Sequence, residues 1–94
     1  MQSKEKEILL IAQEECAEVT QAISKCFRFG FDSDYNGKTN KQRLTEEVGD
    51  LLCMIHLMIE KNIIPEMATY TASVAKRTKL QQWSSIFDDD KEVH

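Results

Sequence analysis

Proline occurs once and glycine three times in 94 residues. So few chain breakers exclude a collagen-like or linker-rich chain and disfavour a sheet of many short strands. Positive charge is scarce too: 12 Lys and Arg stand against 16 Asp and Glu, for a net charge of -4. The stretch Asp88, Asp89, Asp90, Lys91 and Glu92 carries three of those four negative charges, which leaves a nearly neutral body. Without a basic surplus or stripe, binding to a nucleic-acid polymer is disfavoured. Cysteine appears three times, as Cys16, Cys26 and Cys53, with no Cys-x-x-Cys pair and no secretory leader ahead of them. The expectation is buried thiols in a reducing cytoplasm, not a disulfide or zinc framework. No apolar run approaches the length of a membrane span, and Met1 to Lys6 lacks a hydrophobic leader core. A soluble, unprocessed, cytoplasmic protein with no membrane partner is therefore expected.

What is present is helical. Hydrophobic residues make up 41% and charged residues 30% of the chain, and 94 residues suit one domain, since either half would be too short to fold unaided. From about Lys4 to Phe29, Ile8, Ile11, Ala12, Val19, Ala22, Ile23 and Cys26 recur at three- and four-residue steps, as one face of a helix requires. Gly30 ends that run, and Phe31 to Thr39 is a turn-rich loop in which Asn36-Gly37 is the strongest turn signal. Thr39 or Asn40 then caps a second helix reaching about Asn62, with Leu44, Val48, Leu51, Leu52, Ile55, Met58 and Ile59 as its apolar positions. Pro65 suits the first turn of a third helix ending near Gln81 or Gln82. Trp83, Ile86 and Phe87 are spaced for a short final turn, after which the acidic end through His94 is expected to fray. The predicted fold class is all-α: three main helices plus a short C-terminal turn, with a domain core over about 4–82 and a tail over 83–94.

Two of these helices carry carboxylates at costly addresses. On a helical wheel of about 100° per residue, Glu15 falls inside the apolar stripe of the first helix, and Glu18 lies about 60° away at its edge beside Lys25. The second helix repeats the arrangement, with Glu47 among Leu51, Met54 and Met58, and Asp50 at the edge near Arg43. A carboxylate turned toward a core is unfavourable unless it is paired or holds a metal. One Lys and one Arg cannot satisfy four of them. If the two helices pack antiparallel, Glu15, Glu18, Glu47 and Asp50 converge into an all-oxygen site, which suits Mg²⁺ or Mn²⁺ better than zinc or copper. A helix-borne di-iron site would want a Glu-x-x-His pair, whereas His56 follows Cys53 at that spacing and faces the polar side. Acidic pairs at i, i+3 are common on solvated faces, and Glu14 and Glu46, which point away from the stripes, are read in that way. Two pairs that each place one member inside a stripe are less easily explained so.

Carboxylate-held Mg²⁺ on a small helical bundle is suited to a polyphosphate, whose charge it offsets. Lys25, Arg43, Lys76, Arg77 and Lys79 are the basic candidates for the same groove, Lys25 being the best placed; the last three equally suit a solvated helix C-terminus. Phe27, Phe29, Phe31, Tyr35 and Trp83 offer rings for base stacking, although rings at such positions more often cover a core, and none is singled out.

Glu14-Glu15-Cys16-Ala17-Glu18 resembles the EExxE segment, and Glu46-Glu47-Val48-Gly49-Asp50 the EExxD segment, of the MazG-like nucleotide pyrophosphohydrolases of the all-α NTP pyrophosphatase superfamily. Ser24 to Gly30 is similar to the exit of the first helix in small stand-alone members, and Asn40 sits where they often carry an Asn. The likeness spans about residues 7–82. It implies a four-helix-bundle core completed by dimerisation, sometimes to a tetramer, and the wide apolar arc made by Cys53, Met54 and Leu57 agrees with a homodimer or homotetramer. It implies Mg²⁺-dependent hydrolysis of a nucleoside triphosphate between the α and β phosphates, to the monophosphate and pyrophosphate, in nucleotide-pool control or house-cleaning. Carried onto this chain, Glu15, Glu18, Glu47 and Asp50 hold the metal and serve catalysis, while Lys25, Lys76, Asn40 and Arg28 contact phosphates. Arg28 lies off the Glu15 face, so it reaches the site only if the first helix ends or bends before it. Three other readings compete: a hydrolase of phosphoribosyl-ATP with the same carboxylates, a non-catalytic helical-bundle adaptor, and a metal-storage or sensor bundle.

Overall fold

The computed structural model describes residues 1–88; of the acidic end from Asp88 that is expected to fray, residues 89–94 lie outside the described residues. The element order is α1 (Ser3–Phe29), β1 (Asp34–Tyr35), β2 (Lys38–Thr39), α2 (Asn40–Glu60) and α3 (Glu66–Trp83). The all-α class and the three helices predicted above are thus observed, with a two-residue-per-strand hairpin added. The chain divides into two compact units, Met1–Ile63 and the remainder from Ile64.

In the first unit, α1 and α2 pack against each other. Their ends have sequence-local causes. Glu5 accepts the Gln2 backbone N–H at 2.9 Å at the start of α1. Gly30, at φ +87°, adopts a conformation that side chains disfavour and stops the helix, its N–H donating to the Cys26 carbonyl. Thr39 caps α2 with a reciprocal capping box: its hydroxyl accepts the Gln42 N–H at 3.1 Å, and the Gln42 side chain accepts the Thr39 N–H at 2.8 Å. Between the helices, Asn36 and Gly37 both take positive φ, as a two-residue hairpin turn requires, and pair Tyr35 with Lys38 and Asp34 with Thr39. The turn signal in the sequence is therefore a hairpin and not an open loop.

Asn40 joins these pieces. It is buried; its side-chain amide donates to the Gly30 carbonyl at 2.9 Å, its N–H to the Ser33 carbonyl at 3.1 Å, and its own carbonyl accepts the Cys26 thiol at 3.8 Å. The end of α1 is thus fastened to the beginning of α2, and the two helices run antiparallel. The buried apolar residues are few: Ala12, Ala22 and Met54. Two alanines on α1 let the helix backbones approach closely. Larger apolar side chains on the flanks, including Leu10, Ile23, Val48 and Leu52, remain exposed. The cysteine expectation needs correction here: Cys16 and Cys53 are exposed and Cys26 is half-buried, all as free thiols, because the packed seam is narrower than the apolar stripe.

In the second unit, Pro65 is the N-cap of α3, which extends through Trp83, slightly beyond the predicted end. Ser84 closes it, its hydroxyl donating to the Leu80 carbonyl at 2.8 Å. The final turn returns Phe87 to α3, where the Arg77 guanidinium lies 4.5 Å from the ring centroid. No helix of the described residues is long and apolar enough to cross a membrane.

Candidate functional site

The antiparallel pairing of α1 and α2 carries the inward carboxylates to one place. Glu15 from α1 meets Glu47 and Asp50 from α2, and one oxygen of each lies within 4.8 Å of the other two. The sum of paired residue numbers stays nearly constant along an antiparallel seam, so Cys26 beside Asn40 at one end and Glu15 beside Asp50 further on are one register. Glu15 and Glu47 are half-buried and Asp50 is exposed. Glu15 is the member under most stress. Its Oε2 is shut off from solvent and has no hydrogen-bond partner among the described residues. Burial, then the negative charges of Asp50, Glu47, Glu18 and Glu14, push its carboxyl above the ordinary carboxylate range.

Glu18 stands outside this trio. One turn further along α1, it borders a cavity of about 310 Å³ whose walls include Lys25, Asn40, Arg43 and Glu47. Lys25 has no ion-pair or hydrogen-bond partner among the described residues, so its ammonium is available to the cavity. Asn40 reaches the wall as well, though its amide is already committed to Gly30. Arg43, predicted near Asp50, is drawn instead to the hairpin: its Nη2 donates to the Tyr35 carbonyl and its guanidinium lies 5.8 Å from the Tyr35 ring centroid.

Two further predicted phosphate contacts are Arg28 and Lys76. Arg28 is still helical, its guanidinium lies 5.0 Å from the Phe29 ring, and it is absent from the cavity wall. The condition that α1 end before it is not met. Lys76 is exposed on α3, in the other unit, as are Arg77 and Lys79. Conversely, the sequence reading missed Lys38, while Glu46 is exposed as expected but paired. Lys38 Nζ grips both oxygens of Glu46, at 2.7 and 2.8 Å, and the pair lines the cavity. The available signal was Asn36-Gly37, because a two-residue turn fixes Lys38 opposite Tyr35 and aims it back at α2.

Three carboxylates, one of them with a desolvated and unpartnered oxygen, form a hard-oxygen donor set that fits a divalent cation such as Mg²⁺ or Mn²⁺ and offers nothing to a soft one. His56 is exposed and is not one of the three. The family model for the MazG nucleotide pyrophosphohydrolase domain matches residues 3–79. The chain belongs to the MazG family. The match takes in α1, the hairpin, α2 and most of α3, so both carboxylate-bearing helices of this MazG domain lie inside it. No curated protein and no solved structure matches the chain.

Proposed function

We propose that this MazG-family chain is a divalent-metal-dependent nucleoside triphosphate pyrophosphohydrolase that cleaves between the α and β phosphates and releases a monophosphate and pyrophosphate. The observation that carries the reading is the Glu15 carboxylate, which has a solvent-excluded, unpartnered oxygen and stands together with Glu47 and Asp50. An oxygen left in that state is costly by itself and is relieved by a cation. Family membership supports the class of reaction.

Glu15, Glu47 and Asp50 are the residues to hold Mg²⁺, or Mn²⁺ in its place, with Glu18 completing the set from the cavity side. When bound, the cation would offset phosphate charge and favour ionisation of the attacking water. Lys25 is positioned to bind the triphosphate where it enters the cavity, with Asn40 beside it. Lys76 is proposed as a further phosphate contact, whereas Arg28, still helical and absent from the cavity wall, is not. Water adds across the α–β anhydride, the bridging P–O bond breaks, and a carboxylate of the cluster accepts the water's proton. Residues 1–94 are proposed to form one such domain. The small buried core and the exposed Ile23, Val48 and Leu52 support a homodimer or homotetramer that completes a four-helix core, and the proposed role is nucleotide-pool control or house-cleaning in the cytoplasm.

The test is incubation of the protein with Mg²⁺ and each common NTP and dNTP, with and without EDTA, separating pyrophosphate from orthophosphate. Monophosphate plus pyrophosphate, lost on chelation, is the expected result. Orthophosphate as the main product, or no product from any nucleotide, overturns the reading.

A further inference from the structure

A second cavity adjoins the first and uses part of the same wall. About 500 Å³ in volume, it shares Lys25, Asn40 and Arg43 with the carboxylate-side cavity, then continues between Phe29 at the end of α1 and Tyr35 on β1. The two cavities differ in chemistry. On one side of the shared wall stand Glu18 and Glu47 with Lys38, and on the other stand two aromatic rings with the polar side chains of Ser33 and Asp34. Neither ring is spent on the core, since Tyr35 is 71% and Phe29 57% exposed.

The strand that carries Tyr35 is held in place. Arg43 donates to the Tyr35 carbonyl while its guanidinium faces the Tyr35 ring, so one side chain fixes the hairpin strand. Asp34 accepts the Gly37 N–H at 3.0 Å and braces the turn behind that strand. With a divalent cation held by the carboxylates and Lys25 beside them, a ligand filling both cavities would be anionic at one end and flat and aromatic at the other, which is the shape of a nucleoside polyphosphate. Exposed rings stack on any base, because every base presents a π face.

We propose that the pocket between Phe29 and Tyr35 is the nucleobase subsite of this chain, with Arg43 as the residue positioning its Tyr35 wall. This rests on the nucleotide pyrophosphohydrolase reading above. The hairpin would thus serve to supply a stacking surface beside the phosphate cavity.

The experiment is calorimetric titration of the full chain in Mg²⁺ with α,β-methylene nucleoside triphosphates, which resist cleavage, and with inorganic tripolyphosphate. Quenching of a 2-aminopurine riboside triphosphate reports stacking directly. The nucleotides are expected to bind about tenfold more tightly than tripolyphosphate, and Tyr35→Ala to lose that advantage while binding tripolyphosphate as the parent does. Tyr35→Phe, which retains the ring, is expected to restore both the affinity and the quenching. Nucleotides that bind no more tightly than tripolyphosphate overturn the subsite, as does Tyr35→Ala with unchanged quenching. A Tyr35→Ala chain whose altered property is its oligomeric mass also overturns it, because the ring would then cover a second copy. Each of these results can occur while the parent protein still releases pyrophosphate, so failure of the subsite is distinguishable from failure of the proposed function.

Discussion

Glu15 is where folding and chemistry conflict. Its carboxyl titrates above the ordinary range when folded and within it when unfolded, so the folded state holds the proton more tightly. Any stability this provides is present at low pH and is lost as pH rises from the ordinary carboxylate range through the raised folded value. In EDTA, the melting temperature is therefore expected to fall with rising pH more steeply for the parent than for Glu15→Gln; parallel curves would remove Glu15 from this role. Glu47→Gln is expected to abolish turnover while leaving the fold intact, since it removes a ligand charge and relieves a crowded cluster; circular dichroism and the pyrophosphate assay check the two halves. Glu14 is exposed and outside the trio, so Glu14→Gln is expected to change turnover by no more than about twofold. Helix phase alone made three of the four inward carboxylates legible as one cluster. Glu18, also expected in the cluster, borders the neighbouring cavity.

At the scale of elements, the site depends on how α1 ends and α2 begins. Asn40→Ala would leave the Gly30 carbonyl without its buried donor, at an expected loss of about 1–3 kcal/mol. That corresponds to a fall in melting temperature of roughly 4–8 °C for each kcal/mol, and a thermal melt within a degree of the parent's would show that the pin is dispensable. The helices were readable because their apolar periodicity agrees with the stop of α1 at Gly30 and the start of α2 at Thr39. The hairpin was only half readable: Asn36-Gly37 marked the turn, but strands of two residues carry no alternation to detect. For that reason the Lys38–Glu46 pair and the aromatic pocket, both products of the hairpin register, stayed hidden.

For the whole molecule, the imbalance lies between a short buried core and a broad apolar flank. Val48 and Leu52, one turn apart on α2, are exposed, and a charge there should oppose self-association. Leu52→Glu is expected to convert an oligomer to a monomer in sedimentation velocity, whereas a parent protein that is already monomeric contradicts the proposed assembly. A cation that binds only the folded chain raises stability by mass action, about 2.7 kcal/mol at a hundred times its dissociation constant. Mg²⁺ is thus expected to raise the melting temperature of the parent and not of Glu47→Gln.

The antiparallel register has a further effect on which lengths this chain can tolerate. A single residue inserted in α1 between Glu15 and Gly30, or in α2 between Asn40 and Asp50, would turn Glu15 or Asp50 by about 100° relative to the Gly30–Asn40 junction and carry it off the seam. Residues added at the tip between Tyr35 and Lys38 would move neither helix, because Asn40 fastens Gly30 and Ser33 on the helix side of the hairpin. Related chains should therefore keep the two helical segments at constant length and vary at that tip, where each added residue would reshape the pocket beside Tyr35 while leaving the carboxylates where they are.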